Sequence, residues 1–329
     1  MLRILTASLI CGALLALVSP ATRAADAAEV LRPGTTIELP SSTGKFDFLR
    51  IDSKRGRLLA AHENDGTSDF FDLRQGKLIA RVKVGTAVDT AIDADSGRYF
   101  VSVQEGQRVA IIDAQSLKEV GSVKLDGPSD AILFEPKNHR IYVTHDDGAH
   151  VWVIDPASAK VVGSVAIPGA PEYMVYDAEA DRIYLAIKTT DEVVSINPAT
   201  NTVDAHWKTA PATAPHGIAL DVANHRVFAA GANGKLVAID TRTGKVAATV
   251  DITEKVDQIA YDPASKHVYC AGTERMSVVL ASADGMTLAG NLKTAATARN
   301  VAVDPETHAV WTTYTDGKSS FARSWILPH

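Results

Sequence analysis

The chain has 329 residues and a net charge of −6 with neutral histidines, and removal of a leader carrying Arg3 and Arg23 makes the charge two units more negative. This acidic balance argues against a nucleic-acid-binding protein, because phosphate backbones are held by basic surfaces. Only Cys270 remains after the leader, so an internal disulfide is excluded and packing must hold the fold. Because this cysteine lies in the apolar run HVYCAG, we expect its thiol to be buried and slow to react.

Residues 1–24 have the three parts of a secretory signal peptide. Arg3 precedes an apolar run from Ile4 to Val18, and the small residues Thr22 and Ala24 are placed for cleavage after residue 24. A membrane anchor is the competing interpretation, but the run is shorter than the roughly 20 residues that a spanning helix needs. We therefore expect a periplasmic or secreted protein with no membrane span after cleavage.

After the leader and a linker at residues 25–34, one pattern repeats along residues 35–329. Strand-like runs that end near an acid recur every 41 to 44 residues, and the second run fits one residue out of step. The seven runs are FDFLRID, VDTAID, SDAILFE, PEYMVYD, PHGIALD, VDQIAYD and RNVAVD. Repetition at this period indicates a solenoid, a propeller or a similar array.

Each unit contains four strand-like runs and no amphipathic run long enough for a helix. In the third unit, RIYVT and VWVID flank the polar turn HDDGAH, and KVVGSVAI supplies a fourth strand. Four strands per period are typical of a β-propeller blade and fit a solenoid less well. The last unit lacks a fourth strand, whereas TTIELPSS (Thr35–Ser42) precedes the first unit. We therefore predict an all-β, seven-bladed propeller whose N-terminal strand completes the last blade.

The repeats resemble those of the YVTN family of β-propeller proteins, which includes the YncE-like periplasmic proteins. IYVTH (Ile141–His145) followed by VWVID (Val151–Asp155) is close to the family motif, with histidine where the family has asparagine. IYLAI, VFAAG and VYCAG are looser versions, and the resemblance covers all seven units from Thr35 to Leu327. It implies the propeller fold, but the family is a scaffold class more than an activity.

In a propeller, the loop that enters each blade and the turn between its second and third strands lie on one face, around one mouth of the central channel. The second residues of the seven first-strand runs are therefore expected to form a ring there, in which carboxylates dominate. The predicted ligand-binding residues are the ring Asp47, Asp89, Asp130, Glu172, His216, Asp257 and Arg299, with His62 and His145 farther out. We predict that they bind a small polar or cationic ligand or an exported protein partner, because a closed mouth concentrates the field of its charges. The alternative is that the acids cap turns or brace neighbouring blades.

The inner strands carry small residues close to the channel axis, with one exception. Ala91, Ala219, Ala260 and Ala302 occupy equivalent places, and Arg50 occupies that place in the first blade. An unpaired buried charge is too costly to be tolerated. We therefore expect a carboxylate beside Arg50 or a wet channel around it.

The sequence contains no linear motif for catalysis or for a cofactor. It has no CxxCH for covalent haem, no HExxH, no GxSxG and no phosphate-binding glycine loop. We assign no catalytic residue and interpret the chain as a monomeric, non-catalytic binding scaffold. Two alternatives stay open: a lactonase-like hydrolase that uses a divalent metal at the same mouth, and an accessory protein that docks on a periplasmic redox enzyme. The sequence identifies neither a cofactor nor the ligands of a metal.

Overall fold

The computed structural model of the chain describes residues 30–283 and 285–328. The predicted signal peptide at residues 1–24 and the first half of the predicted linker lie outside these residues. The described residues form seven four-stranded antiparallel sheets and one short 3-10 helix, so the predicted all-β, seven-bladed propeller is confirmed. No helix in this part of the chain is long and apolar enough to cross a membrane.

Blades 1 to 4 follow one another along the chain, and each consists of four consecutive strands. Blade 1 contains β2 (Leu49–Asp52), β3 (Arg57–His62), β4 (Thr67–Asp72) and β5 (Lys77–Lys83). Blade 2 contains β6 (Ala87–Asp93), β7 (Arg98–Val103), β8 (Arg108–Asp113) and β9 (Lys118–Lys124). Blade 3 contains β10 (Ser129–Glu135), β11 (Arg140–His145), β12 (His150–Asp155) and β13 (Lys160–Ala166). Blade 4 contains β14 (Pro171–Asp177), β15 (Arg182–Ile187), β16 (Glu192–Asn197) and β17 (Thr202–Lys208).

Blades 5 and 6 repeat this order, and blade 7 takes one strand from the N-terminus. Blade 5 contains β18 (Pro215–Asp221), the 3-10 helix (Val222–Asn224), β19 (Arg226–Gly231), β20 (Lys235–Asp240) and β21 (Lys245–Asp251). Blade 6 contains β22 (Gln258–Asp262), β23 (His267–Gly272), β24 (Arg275–Ser282) and β25 (Gly285–Lys293). Blade 7 contains β26 (Ala302–Val303), β27 (Val310–Thr315), β28 (Ser319–Ile326) and β1 (Arg32–Pro40).

The N-terminal strand closes the ring as predicted. β1 lies antiparallel to β28, with Ile37 opposite Ala322 and Leu39 opposite Ser320. The strand begins at Arg32, so residues 32–34, which the sequence assigned to the linker, belong to the propeller. Leu31 is also fully buried, against side chains of blades 6 and 7. Because β1 covers the free edge of β28, it completes the sheet of the last blade, and the chain then continues into the first blade.

The core lies between the blades, where the middle strands of neighbouring sheets pack face to face. In β11, which reads RIYVTH, the residues from Ile141 to Thr144 are all buried, because both faces of a middle strand meet a neighbouring blade. Outer strands alternate instead, and in β5 every second residue of KLIARVK is exposed. Cys270 of β23 is fully buried, as predicted, and burial raises the pKa of its thiol.

Candidate binding site at the channel mouth

A β-bulge near the start of the first strand turns one side chain of a blade towards the mouth. In blade 3, Ser129 lies opposite His145 and Ile132 lies opposite Val143, so two residues of β10 face a single residue of β11. Blades 2, 4 and 5 have the same register shift. A bulge redirects side chains because its extra residue interrupts the regular alternation of the strand. The first residue of each bulged pair lies at the mouth, and the second lies one layer deeper in the channel wall.

Asp89 is the second residue of its bulged pair, so it lies one layer below the predicted ring. Counted back from the end of the first strand, the residue equivalent to Asp47 is Val88. The fully buried Asp89 accepts hydrogen bonds from Arg50 Nε at 2.9 Å and Nη2 at 2.7 Å, and from the amide of Ile132 at 3.1 Å. The placement of Asp89 in the ring is therefore corrected. It is the carboxylate that Arg50 requires, and it braces blades 1, 2 and 3.

Four of the six remaining ring residues are held in ion pairs that join neighbouring blades. Glu172 Oε1 lies 3.6 Å from His216 Nε2, and Lys188 Nζ is 2.9 Å from the same oxygen. Burial raises the pKa of Glu172, whereas His216 and Lys188 act in the opposite direction. Asp257 Oδ2 lies 3.2 Å from Arg299 Nη2. These contacts fit the bracing role that the sequence left open for the ring.

Asp47 and Asp130 differ from the other ring acids, because no hydrogen bond or ion pair reaches either carboxylate from any residue that the structure describes. Both side chains are half-buried at the mouth. Burial raises the pKa of Asp130 well above its usual range, and the charges of Glu172 and Asp47 raise it further. Burial and the charge of Asp257 likewise raise the pKa of Asp47, which Lys45 lowers in part. The two carboxylates therefore share one negative field, which Lys45 offsets in part and no ion pair from a described residue neutralises.

His62 does not reach the surface of the mouth. Its imidazole is fully buried and stacks on Phe46, with the ring centroids 3.8 Å apart. Its Nδ1 lies 2.8 Å from Asp69 Oδ2, and its Nε2 lies 3.0 Å from the carbonyl oxygen of Gly44. Because both ring nitrogens are occupied by the protein, we leave His62 out of the candidate site.

His145 lies beside an outer groove between blades 2 and 3. Its ring centroid is 4.9 Å from that of His150 and 5.1 Å from that of Trp152. These two neighbours line the groove, which has a volume of about 930 Å³. The structure therefore places His145 in an aromatic cluster at the rim and not within the ring.

Below the mouth, side chains from four blades meet across the channel. The guanidinium of Arg50 lies over the ring of Tyr173, 4.4 Å from its centroid, and the Tyr173 hydroxyl accepts a hydrogen bond from Gln258 Nε2 at 3.2 Å. We call Arg50, Asp89, Tyr173 and Gln258 the plug. Tyr173 and Gln258 were not predicted from the sequence. The available signal was that they occupy the same repeat position as Asp89, one residue after the ring.

The described residues include no group of three or more His, Cys, Asp or Glu side chains that is placed to hold a metal ion. The metal ligands that a hydrolase would need are thus not identified among the residues of the mouth. The mouth instead offers two free carboxylates and a surrounding belt of paired charges.

Comparisons with known proteins agree with the fold. A family model described as outer membrane protein assembly factor BamB matches residues 177–320, which is less than half of the chain. The hydrazine synthase of Kuenenia stuttgartiensis is 15% identical, with a TM-score of 0.76 over 88% of this chain and 97% of that chain. U3-55K is 10% identical, with a TM-score of 0.75 over 88% and 98% of the two chains, and the WD40 repeats of RRP9 are 10% identical, with a TM-score of 0.74 over 90% and 99%. A search of curated proteins finds no significant match. At these identities, the likeness to solved structures concerns the propeller fold alone.

Proposed function

We propose that the chain is an exported binding protein of the YVTN type whose channel mouth holds a cationic group, either an ammonium or a guanidinium. The observation that carries the proposal is the pair of partnerless carboxylates, Asp47 and Asp130, in a mouth whose other ring charges are paired. The propeller fold supports a scaffold role, and the match to the BamB family model supports an exported setting.

The energetics of the mouth favour a bound cation. Two half-buried carboxylates repel each other and are poorly hydrated, so each is more easily protonated than an exposed acid. A cation that enters the mouth neutralises part of this negative charge. The reduced repulsion between the two carboxylates makes binding more favourable. Carboxylates in such a state cluster at functional sites of proteins, where their strain is released by the ligand.

The positions of the two acids suit a group with several hydrogen-bond donors. Asp47 comes from blade 1 and Asp130 from blade 3, so a bridging ligand must donate in more than one direction. Ammonium and guanidinium groups have three and five N–H donors respectively and no acceptor. The source of the group is then a lysine or arginine side chain of an exported partner, or a small organic cation.

Titration calorimetry with agmatine, which carries both an ammonium and a guanidinium, tests the proposal. Each charge-assisted hydrogen bond contributes about 1.5–3 kcal/mol, so we expect at least tenfold weaker binding to the Asp47→Asn and Asp130→Asn variants. Binding to the unaltered protein should strengthen as the pH rises through the acid range, because the raised pKa values keep the carboxyls partly protonated at low pH.

Asp95→Asn is the matched control, because its carboxylate is almost fully exposed on the opposite face and contacts only Lys54. This variant should bind agmatine as the unaltered protein does. Absence of agmatine binding, or equal affinity in the Asp130→Asn and Asp95→Asn variants, would contradict a cation site at the mouth.

A further inference from the structure

Two cavities of about 320 and 260 Å³ lie in the channel on the far side of the plug from the mouth. Both have Arg50 and Ile51 in their walls, and together they touch the inner strands of all seven blades. Ser53 and Pro305, which follow the first strands of blades 1 and 7, lie at the end of the larger cavity. This end faces the side of the propeller opposite the mouth. We call the combined space the lower channel.

Most of the side chains that line the lower channel are apolar, and polar atoms also contribute a large part of its surface. The larger cavity is lined by side chains such as Ile51, Val175, Leu220, Tyr261 and Val303. Small-molecule sites in proteins typically measure about 300–1,000 Å³ and combine apolar walls with a few polar groups that fix the orientation of the ligand. The lower channel combines apolar side chains with polar groups, to which the plug contributes Arg50, Tyr173 and Gln258.

The plug presents hydrogen-bond donors to the lower channel and keeps its acceptors occupied. Asp89 accepts hydrogen bonds from Nε and Nη2 of Arg50, and Nη2 also donates to the carbonyl oxygen of Ile132 at 3.2 Å. None of the described residues accepts a hydrogen bond from Nη1 of Arg50. The Tyr173 hydroxyl accepts a hydrogen bond from Gln258, and no residue in the described ranges accepts a hydrogen bond from that hydroxyl. The Oε1 atom of Gln258 already accepts two backbone N–H groups.

A second observation comes from Thr90 of β6, which lines the smaller cavity. The side chain is only 2% exposed, and its hydroxyl has no hydrogen-bond partner among the described residues. A buried hydroxyl without a partner is unfavourable, and buried polar atoms are nearly always satisfied by the protein, water or a ligand. The hydroxyl of Thr90 is itself enclosed, so it is an unsatisfied polar group beside the smaller cavity and not a donor within the channel.

We propose that the lower channel is a separate binding site for a small molecule with an apolar body and a terminal oxygen acceptor, either a carboxylate or a carbonyl. The body contacts the aliphatic walls, and the oxygen accepts hydrogen bonds from Arg50 Nη1 and the Tyr173 hydroxyl. Since the plug stands between this site and the mouth, the two sites are independent, and this proposal does not rest on a cation at the mouth.

Three probes with one tail test the site: octanoate, octanamide and octylammonium, each measured by titration calorimetry and saturation-transfer NMR. Octanoate and octanamide share the acceptor oxygen, and we expect both to bind at least tenfold more tightly than octylammonium, which has only donors. The ratio of the first two affinities distinguishes a carboxylate ligand from a neutral carbonyl compound. Failure of both oxygen-bearing probes to bind, or equal binding of octylammonium, would overturn the proposal.

Substitutions locate the binding within the protein. Ala260→Phe fills the larger cavity and should abolish octanoate binding, whereas Tyr173→Phe removes a single donor and should weaken it about tenfold. The Asp130→Asn variant at the mouth should bind octanoate unchanged. Circular dichroism shows whether the Ala260→Phe variant folds. If that variant does not fold, Ala219→Leu, which fills the same cavity with a smaller side chain, is used in its place. Octanoate binding that survives in a folded cavity-filling variant, or that is lost in Asp130→Asn, would place the probe elsewhere and reject the site.

Discussion

His62 illustrates how a residue that looks functional in a sequence can be structural. Its Nδ1 faces the carboxylate of Asp69 and its Nε2 faces the carbonyl oxygen of Gly44, so neither ring nitrogen is left for a ligand. The same network includes Arg81, whose Nη2 lies 2.6 Å from Asp65 Oδ2, and Ser42, which donates to that carboxylate at 2.6 Å. These contacts enclose a buried imidazole and fasten the loop after β1 to blade 1.

Asp130 gives a stability prediction with a definite sign. Burial, followed by neighbouring acids, raises its pKa in the folded protein, so the folded state retains a proton that the unfolded chain has already released. The stability that this proton provides is fully present below the unfolded pKa, near pH 4, and is lost as the pH rises through the raised folded value. Asp130→Asn never ionises, so it should increase the free energy of unfolding at pH 7 by about 0.5–2 kcal/mol and change it little below pH 4. Urea unfolding at both pH values measures this difference.

The control for this stability prediction is again Asp95→Asn, which removes the same charge from an exposed site. Substitutions at exposed sites usually change stability by less than about 0.5 kcal/mol. An Asp130→Asn variant that is less stable than Asp95→Asn at pH 7 would instead indicate that Asp130 braces the blades.

Contacts between blades bring Glu172 to His216 and Asp257 to Arg299, and the different position of Asp89 has a physical cause. Counting at a period of 41 to 44 residues finds the start of each first strand, but a bulge sets two side chains where a regular strand has one. In blade 2 the acid falls on the second of the two, so Asp89 is buried and Val88 lies at the ring position. Glu172 pairs with His216 and Asp257 pairs with Arg299, whereas Asp130 has no partner among the described residues. These differences depend on contacts between blades, which the spacing of residues along the sequence does not encode.

At the scale of single elements, β1 decides whether the ring is closed. Its side chains alternate, with Ile37 and Leu39 buried and Glu38 exposed between them. The buried pair packs into a cluster with Leu49 of blade 1 and Trp311 of blade 7, so one strand holds the first and last blades together. The sequence predicted this closure correctly, because an alternating strand at one end matched a missing strand at the other.

Leu39→Ala should therefore destabilise the whole propeller. The leucine is 1% exposed, and replacing a buried leucine by alanine typically costs about 2–5 kcal/mol. The neighbouring exposed Glu38, whose carboxylate only accepts from Ser319, provides the control variant Glu38→Ala. Thermal unfolding should show a clear decrease in Tm for Leu39→Ala and almost none for Glu38→Ala. Equal Tm values for the two variants would mean that β1 does not contribute to closure.

At the scale of the whole molecule, the plug divides the channel into an acidic mouth and an apolar lower channel. The fold was predictable because seven similar repeats each carry the strand pattern of a blade. The division was not, because it depends on side chains from blades 1, 2, 4 and 6 that differ in type and meet only around the axis. Repetition determines the positions of such residues, whereas chemical differences between the repeats determine what they do.

Gln258 is the plug residue that helps to hold neighbouring blades of the propeller together. Its amide accepts from the N–H groups of Leu49 at 3.1 Å and Val301 at 3.2 Å, and donates to the Leu49 carbonyl at 3.0 Å as well as to Tyr173. Blade 7 needs this support, because its inner strand, β26, has only two residues. One side chain thus joins blades 1, 4, 6 and 7 where backbone pairing is short.

Gln258→Leu keeps the approximate size of the side chain and removes all four hydrogen bonds. Because each buried group that loses its partner costs about 1–3 kcal/mol, the variant should unfold at a clearly lower temperature. Hydrogen exchange should accelerate at the amides of Leu49 and Val301, which lose their common acceptor. Gln104→Leu is the control, since that amide donates only to Asp146 at the partly exposed rim. If both variants show the same Tm and the same amide protection, the blades are held by their apolar contacts alone, and the plug only separates the two ends of the channel.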